Sequence, residues 1–286
     1  MSLVTLKELL PKAKQNHYAV GQFNINSFQW VEAILRAAER QQSPVILAST
    51  DRIVDYLGGV NVIAATTKKM IEEMNITVPV VLHLDHGFTV ERCTAAIDAG
   101  YSSVMYDGSS LPLPENIQRT REVVAYAKAH HVSVEAEIGS VGGTEDGVTS
   151  GIQYADPNEC YQLVAATRVD ALAAALGSVH GPYQGEPNLA FDLMKEISDN
   201  LMDVPFALHG GSGIPDYQII KAIRYGHAKI NVNTECNQAW AQTIRTLLTE
   251  KPDLYSPPDI LGPGMAAIEQ VVTRKIQLFG SAHKAG

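Results

Sequence analysis

The sequence predicts a closed (β/α)8 barrel, and three observations lead there. Short apolar runs alternate with amphipathic stretches at a spacing of about 20 to 35 residues, the pattern of βα units that build a parallel sheet. Eight such units fit within 286 residues, which suits one barrel domain over residues 1–286 with extra terminal helices. The first strand also lacks the glycine-rich turn that opens a nucleotide-binding open sheet, because Gln22-Phe23-Asn24-Ile25-Asn26 has no glycine after Gly21.

Residues 3–16 read as a short capping helix, with Lys7 and Glu8 set into a helical pattern. Tyr18 to Phe23 is the first strand, ending in Asn24-Ile25-Asn26. From Phe28 to Gln41, Trp30, Ile34, Leu35 and Ala38 recur at helical spacing. Pro44 to Ala48 is the second strand, ending in Ser49-Thr50-Asp51-Arg52, and a helix over 60–74 follows. The third strand, Pro79-Val80-Val81-Leu82, closes on His83-Leu84-Asp85-His86-Gly87. An apolar run that stops abruptly in an acid, an imidazole and a glycine delivers polar side chains to a site at its C-terminal end. The cycle continues with helix 89–99, strand Ser102 to Tyr106, helix 114–129, strand Val132 to Glu137 and helix 157–167. Strand 170–176, helix 189–201, strand 204–208, helix 215–224 and strand Ala228 to Val232 complete it, and helices over 235–249 and 264–279 finish the chain. The longest non-periodic stretch, Gly139 to Asp156, has the length of a mobile active-site cover.

With 45% hydrophobic and 19% charged residues the chain has the composition of a soluble globular protein. Its 31 acidic against 22 basic residues argue against nucleic acid or an anionic membrane as partner and leave room for a small anionic ligand at a local positive site. Cys93, Cys160 and Cys236 are odd in number and form no CxxC, so neither a disulfide framework nor a cysteine-rich zinc site is indicated. The N-terminal residues lack a signal-peptide pattern, and no apolar run reaches the roughly 20 residues that span a bilayer. A cytoplasmic protein is expected.

Three strands end beside a His-Gly pair, at His86-Gly87, His180-Gly181 and His209-Gly210. In a barrel all strand ends converge on one face, so these three imidazoles become neighbours. Three imidazoles with an open fourth position make a catalytic zinc site, in which the metal polarises a carbonyl or lowers the pKa of water. His17, His130, His131 and His283 look like surface residues. Carboxylates accompany the three histidines: Asp85, Asp107, Glu135 and Glu137 lie at or near strand ends, with support of the histidines from behind or barrel ion pairs as the plain reading, preferred for Glu135. Asp85 has no structural reason to be buried and is a candidate general acid or base. Glu145, in the long loop, becomes a second candidate if that loop closes. His209-Gly210-Gly211-Ser212-Gly213 and Asn231-Val232-Asn233-Thr234 each precede a helix and offer backbone N–H groups and hydroxyls to a phosphate, in the loops where this fold commonly binds one.

Leu84-Asp85-His86-Gly87, Glu135-Ala136-Glu137, Gly142-Gly143-Thr144-Glu145-Asp146, Gly177-Ser178-Val179-His180-Gly181, His209-Gly210-Gly211-Ser212-Gly213 and Lys229-Ile230-Asn231-Val232-Asn233-Thr234, in this order, resemble the class II, metal-dependent aldolases that use dihydroxyacetone phosphate. The resemblance covers nearly the whole chain. It implies zinc on His86, His180 and His209, with Asp107 and Glu137 near an alternative metal position. It implies Asp85 as the acid/base on the aldehyde-derived hydroxyl and Glu145 as the loop residue exchanging the proton on the ketose-phosphate carbon. Substrate binding falls to Asn24, Thr50, Gly181, Gly210, Gly211, Ser212, Asn231, Val232, Asn233 and Thr234, with a monovalent cation, Na+ or K+, near the backbone of Val179, Gly181 and Gly210. A homodimer or homotetramer is implied, with the terminal helices as candidate contacts.

Thr50 stands where that family usually has Ser near the distal end of the substrate, and Thr50-Asp51-Arg52 through Gly59 is similar to the branch acting on 6-phospho-5-dehydro-2-deoxygluconate. Arg52 could fork a carboxylate or a sulfonate, so sulfofructose phosphate stays open beside fructose and tagatose bisphosphates, as does a surface ion pair for Arg52. The chain departs from the family at Tyr106-Asp107-Gly108-Ser109-Ser110 and at Phe88. Three rivals stand beside this reading: a Schiff-base aldolase using Lys229, a metallohydrolase, disfavoured because the first strand has no His-x-His, and a non-catalytic metal-binding barrel. His83 reads as a structural residue.

Overall fold

Small and β-branched runs form the staves of a closed parallel barrel, and amphipathic runs form the helices that cover them. The computed structural model describes residues 3–145 and 148–286, the side chains at 145, 148 and 150 excepted. In chain order the elements are α1 (Leu6–Gln15), β1 (Val20–Asn24), α2 (Phe28–Gln41), β2 (Val45–Thr50), α3 (Asp51–Tyr56), α4 (Val60–Glu73), β3 (Val80–Gly87), α5 (Val90–Ala99), β4 (Ser103–Tyr106), α6 (Leu113–Ala129) and β5 (Ser133–Ile138). They continue with β6 (Gly142–Glu145), β7 (Val148–Ser150), α7 (Pro157–Thr167), β8 (Ala171–Ala174), β9 (Val179–His180), α8 (Phe191–Asn200), β10 (Phe206–Leu208), α9 (Asp216–Arg224), β11 (His227–Val232), α10 (Thr234–Glu250) and α11 (Pro257–Phe279). The barrel runs β1-β11-β10-β8-β5-β4-β3-β2, and β7, β6 and β9 form a small separate sheet.

Thr5 starts α1 with a capping box, its hydroxyl accepting from Glu8 N–H while Glu8 Oε2 accepts from Thr5 N–H at 2.7 Å. The helix lays Leu6, Leu10 and Ala13 on Val20, Ile46, Val81, Ala171 and Ala228, closing the mouth at which the strands start. The opposite mouth is left for the site.

Three elements differ from the sequence expectation. The six-residue helix α3 follows β2 directly, too short to carry a periodic signal. Within the stretch expected as an irregular cover, Gly142–Glu145 and Val148–Ser150 pair antiparallel as β6 and β7, and β6 pairs in parallel with β9. The last helix starts at Pro257, well before 264: Pro257 and Pro258 fit its first turn, and Pro263 lies inside it. There Gly264 lets α11 press on Trp240 of α10, where a Cβ would lie 2.5 Å from the indole.

His227 opens β11 fully buried, its Nδ1–H donating to Ala222 O at 3.1 Å and its ring against Phe206. Burial lowers its pKa from 6.5 to about 4. The folded state therefore refuses a proton that the unfolded chain accepts, so stability is intact above pH 6.5 and is lost as pH falls toward 4. The loss due to His227 is about 3 kcal/mol. Urea unfolding at a series of pH values checks it, and a His227→Leu variant should lose about that much less stability than the parent across that window.

Candidate active site

The site grows from a distortion in β3. Its register against β4 shifts between Leu84 and Gly87, and His86 adopts a left-handed φ of 50°. Such a conformation costs roughly 1–3 kcal/mol and persists where surrounding structure enforces it. Gly87 permits it, since a Cβ there would lie 2.8 Å from Cys93 Sγ and from Met105 O. His86 Nδ1–H donates to Asp107 Oδ2 at 2.8 Å, and Asp107 Oδ1 accepts from Ser109 N–H at 3.0 Å. This fixes the tautomer and turns Nε2 inward, where among the described residues it has no partner.

His209 repeats the arrangement in mirror order. It follows β10, its Nε2–H donates to Glu135 Oε1 at 3.0 Å, and its buried Nδ1 has no hydrogen-bond partner among the described residues. His180 does not end a barrel strand as expected: β8 stops at Ala174, and His180 sits on β9 under the hairpin. Gly143 makes that seat possible, because a Cβ there would meet His180 O at 2.0 Å. The three rings lie with centroids 4.7, 5.2 and 5.9 Å apart, and each brings a nitrogen within 4.8 Å of the others. A second set, His86, Asp107 and Glu137, meets the same distance. Two buried imidazole nitrogens without a hydrogen-bond partner among the described residues, each backed by a carboxylate on the opposite nitrogen, fit a metal ion, and Glu137 Oε2 lies 3.4 Å from His209 Nδ1 as a further oxygen donor.

The charges agree. Burial opposes a proton on His86, yet Asp85, Asp107 and Glu137 raise its pKa well above the usual value. Burial and the neighbouring Asp107 push Glu137 up. Asp85, Asp107 and Glu137 all act on His86, and Glu135 and Glu137 lie 3.0 and 3.4 Å from the two nitrogens of His209, so the buried centre favours added positive charge. Burial lowers His180 to about 3 and holds His209 well below its usual value, leaving both as neutral electron-pair donors.

Asp85 stands beside the histidines on β3, next to Thr50 in register. Gln22 Nε2–H donates to its Oδ2 at 2.6 Å, and Asn231 Nδ2 lies 3.3 and 3.4 Å from its two oxygens. Burial raises its pKa, but His86, Lys229 and His209 outweigh that and hold it down to about 2. It is an ionised carboxylate, aimed by two amides. His83, one turn of the pleat below, bonds Ser103 Oγ at 2.8 Å.

A recess above this centre is lined by Asn24, Asp85, Val179, His180, Gly181, Gly210, Ser212, Asn231, Asn233 and Thr234. Two expected substrate-binding residues lie behind its wall. Gly211 N–H donates to Asn231 O at 2.9 Å, and a Cβ on Gly211 would lie 2.7 Å from that oxygen, so this glycine closes the barrel and its amide is not offered to a ligand. Val232 is wholly buried in the apolar core, with its side chain turned from the recess. Gly213 N–H is also engaged, by Glu235 Oε1 at 2.9 Å. Near the positions expected for a monovalent cation, the Tyr183 hydroxyl accepts from Val179 N–H at 3.1 Å and donates to Gly210 O at 2.9 Å.

Beyond Asn233 a second recess is lined by Asn26, Thr50, Arg52, Ile53, Tyr56, Thr144 and Asn237. Arg52 and Thr50 therefore share a cavity that adjoins the first. Phe88 lies 40% exposed beside the site, its ring near-parallel to His86 at 6.4 Å. The backbone of Glu145 ends β6, and its side chain lies outside the described residues. Lys229 does not offer a free amine for a Schiff base: its ammonium is wholly buried and 2.9 Å from Glu135 Oε2.

Gln22, and the Asn26 and Asn237 side chains that hold the expected Asn233, escaped the sequence reading as site residues. Asn26 Nδ2 donates to Asn233 Oδ1 at 2.9 Å and to Asn237 Oδ1 at 2.8 Å. Gln22 did leave a signal, since it shares the inward face of β1 with Asn24 two residues on, a polar pair in a wholly buried strand.

Residues 4–284 match the family model of class II fructose-bisphosphate aldolases. A 6-phospho-5-dehydro-2-deoxy-D-gluconate aldolase of Halalkalibacterium halodurans is 59% identical over 285 residues, 100% of this chain and 99% of the relative. A fructose-bisphosphate aldolase of Geobacillus stearothermophilus is 53% identical over 286 residues, 100% of this chain and 99% of that protein. Among solved structures, the YdjI aldolase from Escherichia coli K12 superposes with a TM-score of 0.87 at 32% identity, covering 99% of this chain and 100% of that one.

Proposed function

This chain belongs to the class II fructose-bisphosphate aldolase family, and from that premise we propose that it cleaves 6-phospho-5-dehydro-2-deoxygluconate to dihydroxyacetone phosphate and malonate semialdehyde, with zinc on His86, His180 and His209. It is an aldolase, a carbon–carbon lyase of phosphorylated sugars. The observation that carries the zinc assignment is the pair of buried nitrogens, His86 Nε2 and His209 Nδ1, which have no hydrogen-bond partner among the described residues and converge with His180 while Asp107 and Glu135 hold the opposite nitrogens; His209 Nδ1 lies 3.4 Å from Glu137 Oε2. His86, Asp107 and Glu137 supply an alternative position for the metal.

Zinc bound there supplies Lewis acidity, stabilising negative charge as it builds on the oxygens beside the breaking bond. Asp85 takes the proton from the hydroxyl on the aldehyde side. That oxygen then forms the new carbonyl, the carbon–carbon bond breaks, and its electron pair stays with the dihydroxyacetone phosphate carbon. Glu145 returns a proton to that carbon. Gln22 and Asn231 keep Asp85 aimed throughout. The phosphate lies in the first recess against Gly181, Gly210, Ser212, Asn233 and Thr234, at the N-terminus of α10, where backbone N–H groups and the helix dipole favour an anion. Sodium or potassium beside Val179, Gly181 and Gly210 would offset part of its charge.

The distal carboxylate is assigned to Arg52 and Thr50 in the second recess. An Arg52→Ala variant is expected to lower kcat/KM about 10- to 100-fold, chiefly through KM, because a charge-assisted pair contributes roughly 1.5–3 kcal/mol; steady-state kinetics checks it. The function itself is tested by a coupled assay of dihydroxyacetone phosphate release from this substrate, sulfofructose phosphate, fructose 1,6-bisphosphate and tagatose 1,6-bisphosphate. The highest kcat/KM is expected on the phospho-deoxygluconate. A higher value on another substrate overturns the choice of substrate, and no release from any of them with zinc present overturns the function.

The same reading puts the enzyme in the cytoplasm, where phosphorylated sugars are handled and where the unpaired Cys93, Cys160 and Cys236 stay reduced. No helix of the described residues is long and apolar enough to cross a membrane. We propose a homodimer or homotetramer joined through the α10–α11 hairpin, since α10 buries only Cys236 on its own chain.

A further inference from the structure

Lys229 takes no part in the chemistry above, yet it places a wholly buried ammonium inside the barrel, beneath the metal-binding histidines. An ammonium there is costly unless it is paired, and its partner is Glu135, also wholly buried, at 3.0 Å from Oε1 and 2.9 Å from Oε2. Glu135 Oε1 in turn accepts from His209 Nε2–H at 3.0 Å. The three side chains come from β11, β5 and the end of β10, which are not all adjacent staves, so the chain of contacts crosses the barrel interior.

We propose that Lys229 is a positioning residue for the metal centre: it holds the Glu135 carboxylate where Oε1 accepts the hydrogen bond from His209 Nε2–H, and so leaves His209 Nδ1 as the lone pair that faces the metal. The geometry explains why the pair is heteropolar. A carboxylate alone at this depth would lack a counter-charge, and turning it toward other donors would release His209 to the opposite tautomer. The nearest alternative donor is His83, whose Nε2 lies 3.8 Å from Glu135 Oε2 and has no hydrogen-bond partner among the described residues. Lys229 keeps the carboxylate from rotating onto it. The inference rests on His209 being a metal ligand, as proposed above.

The test is zinc affinity, measured on the intact protein by competition with a chromophoric chelator, with the absorption spectrum of the cobalt-substituted protein as a report on ligand geometry. Lys229→Met is expected to bind zinc about 10- to 100-fold more weakly, the usual cost of losing a partner behind a ligand histidine, and to alter the cobalt spectrum. Lys229→Met/Glu135→Gln is expected to return within about threefold of the parent, because the glutamine oxygen still accepts from His209 and no charge is left buried. Parent-like zinc affinity in Lys229→Met, or a double variant as weak as the single, overturns the proposal. If the single variant does not fold, Lys229→Met/Glu135→Ala is compared with the glutamine double: weaker zinc binding supports the proposal and equal binding overturns it. His209→Ala separates the two levels. Parent-like zinc binding there sinks the ligand assignment itself, whereas loss of zinc there with none in Lys229→Met sinks the role of Lys229 alone.

Discussion

Asp85→Asn is expected to lower kcat roughly a thousandfold, the middle of the range for losing a positioned acid/base, while leaving zinc content unchanged. The residue is nearly isosteric, and the metal-facing nitrogens are held by Asp107 and Glu135, not by Asp85. What asparagine cannot do is accept the substrate proton. It also cannot satisfy both of its neighbours, because its single amide oxygen can face Gln22 Nε2 or Asn231 Nδ2 while its own N–H groups meet the other donor. A stability loss of about 1 kcal/mol should accompany the kinetic defect. Rapid-mix kinetics with metal analysis on the same sample checks both. A variant that retains more than a tenth of the parental kcat would remove Asp85 from the proton transfer.

Chelation is expected to abolish activity, and added zinc to restore it, with His209→Ala behaving as the chelated protein does. The Lewis acid contributes several kcal/mol at the developing charge, so the fall should be at least about a thousandfold. The loss has a reading independent of turnover. Zinc at a hundredfold excess over its Kd should stabilise the fold by about 3 kcal/mol, seen as a rise in Tm that His209→Ala lacks. Activity that survives chelation would instead favour covalent chemistry at an amine, which the buried Lys229–Glu135 pair argues against.

Much of this was legible along the chain. The alternation of apolar runs with helical periods gave the barrel, because periodicity records which face of each segment is buried, and that is a local property. The three His-Gly pairs and Asp85 were legible because a buried run has no stabilising reason to end in acids and imidazoles. Other features were not. His180 was read at the end of a stave but rides on β9, beneath a hairpin whose pairing depends on Gly143 fitting against His180 O. Gly211 was read as a phosphate donor, and its amide is used by Asn231 O across the barrel. Gln22 was read as part of a strand, and it aims Asp85.

Eight staves, and the residue types at their C-terminal ends, are written in the order of residues along the chain. Which nitrogen of His86 and of His209 turns inward, which amides remain available to a ligand, and that Lys229 answers Glu135 are set by the closed barrel. The division has a physical cause. Strand and helix formation follow from contacts within a few residues, whereas a tautomer or an engaged N–H depends on the register in which the barrel closes, and closure joins segments as far apart as β1 and β11.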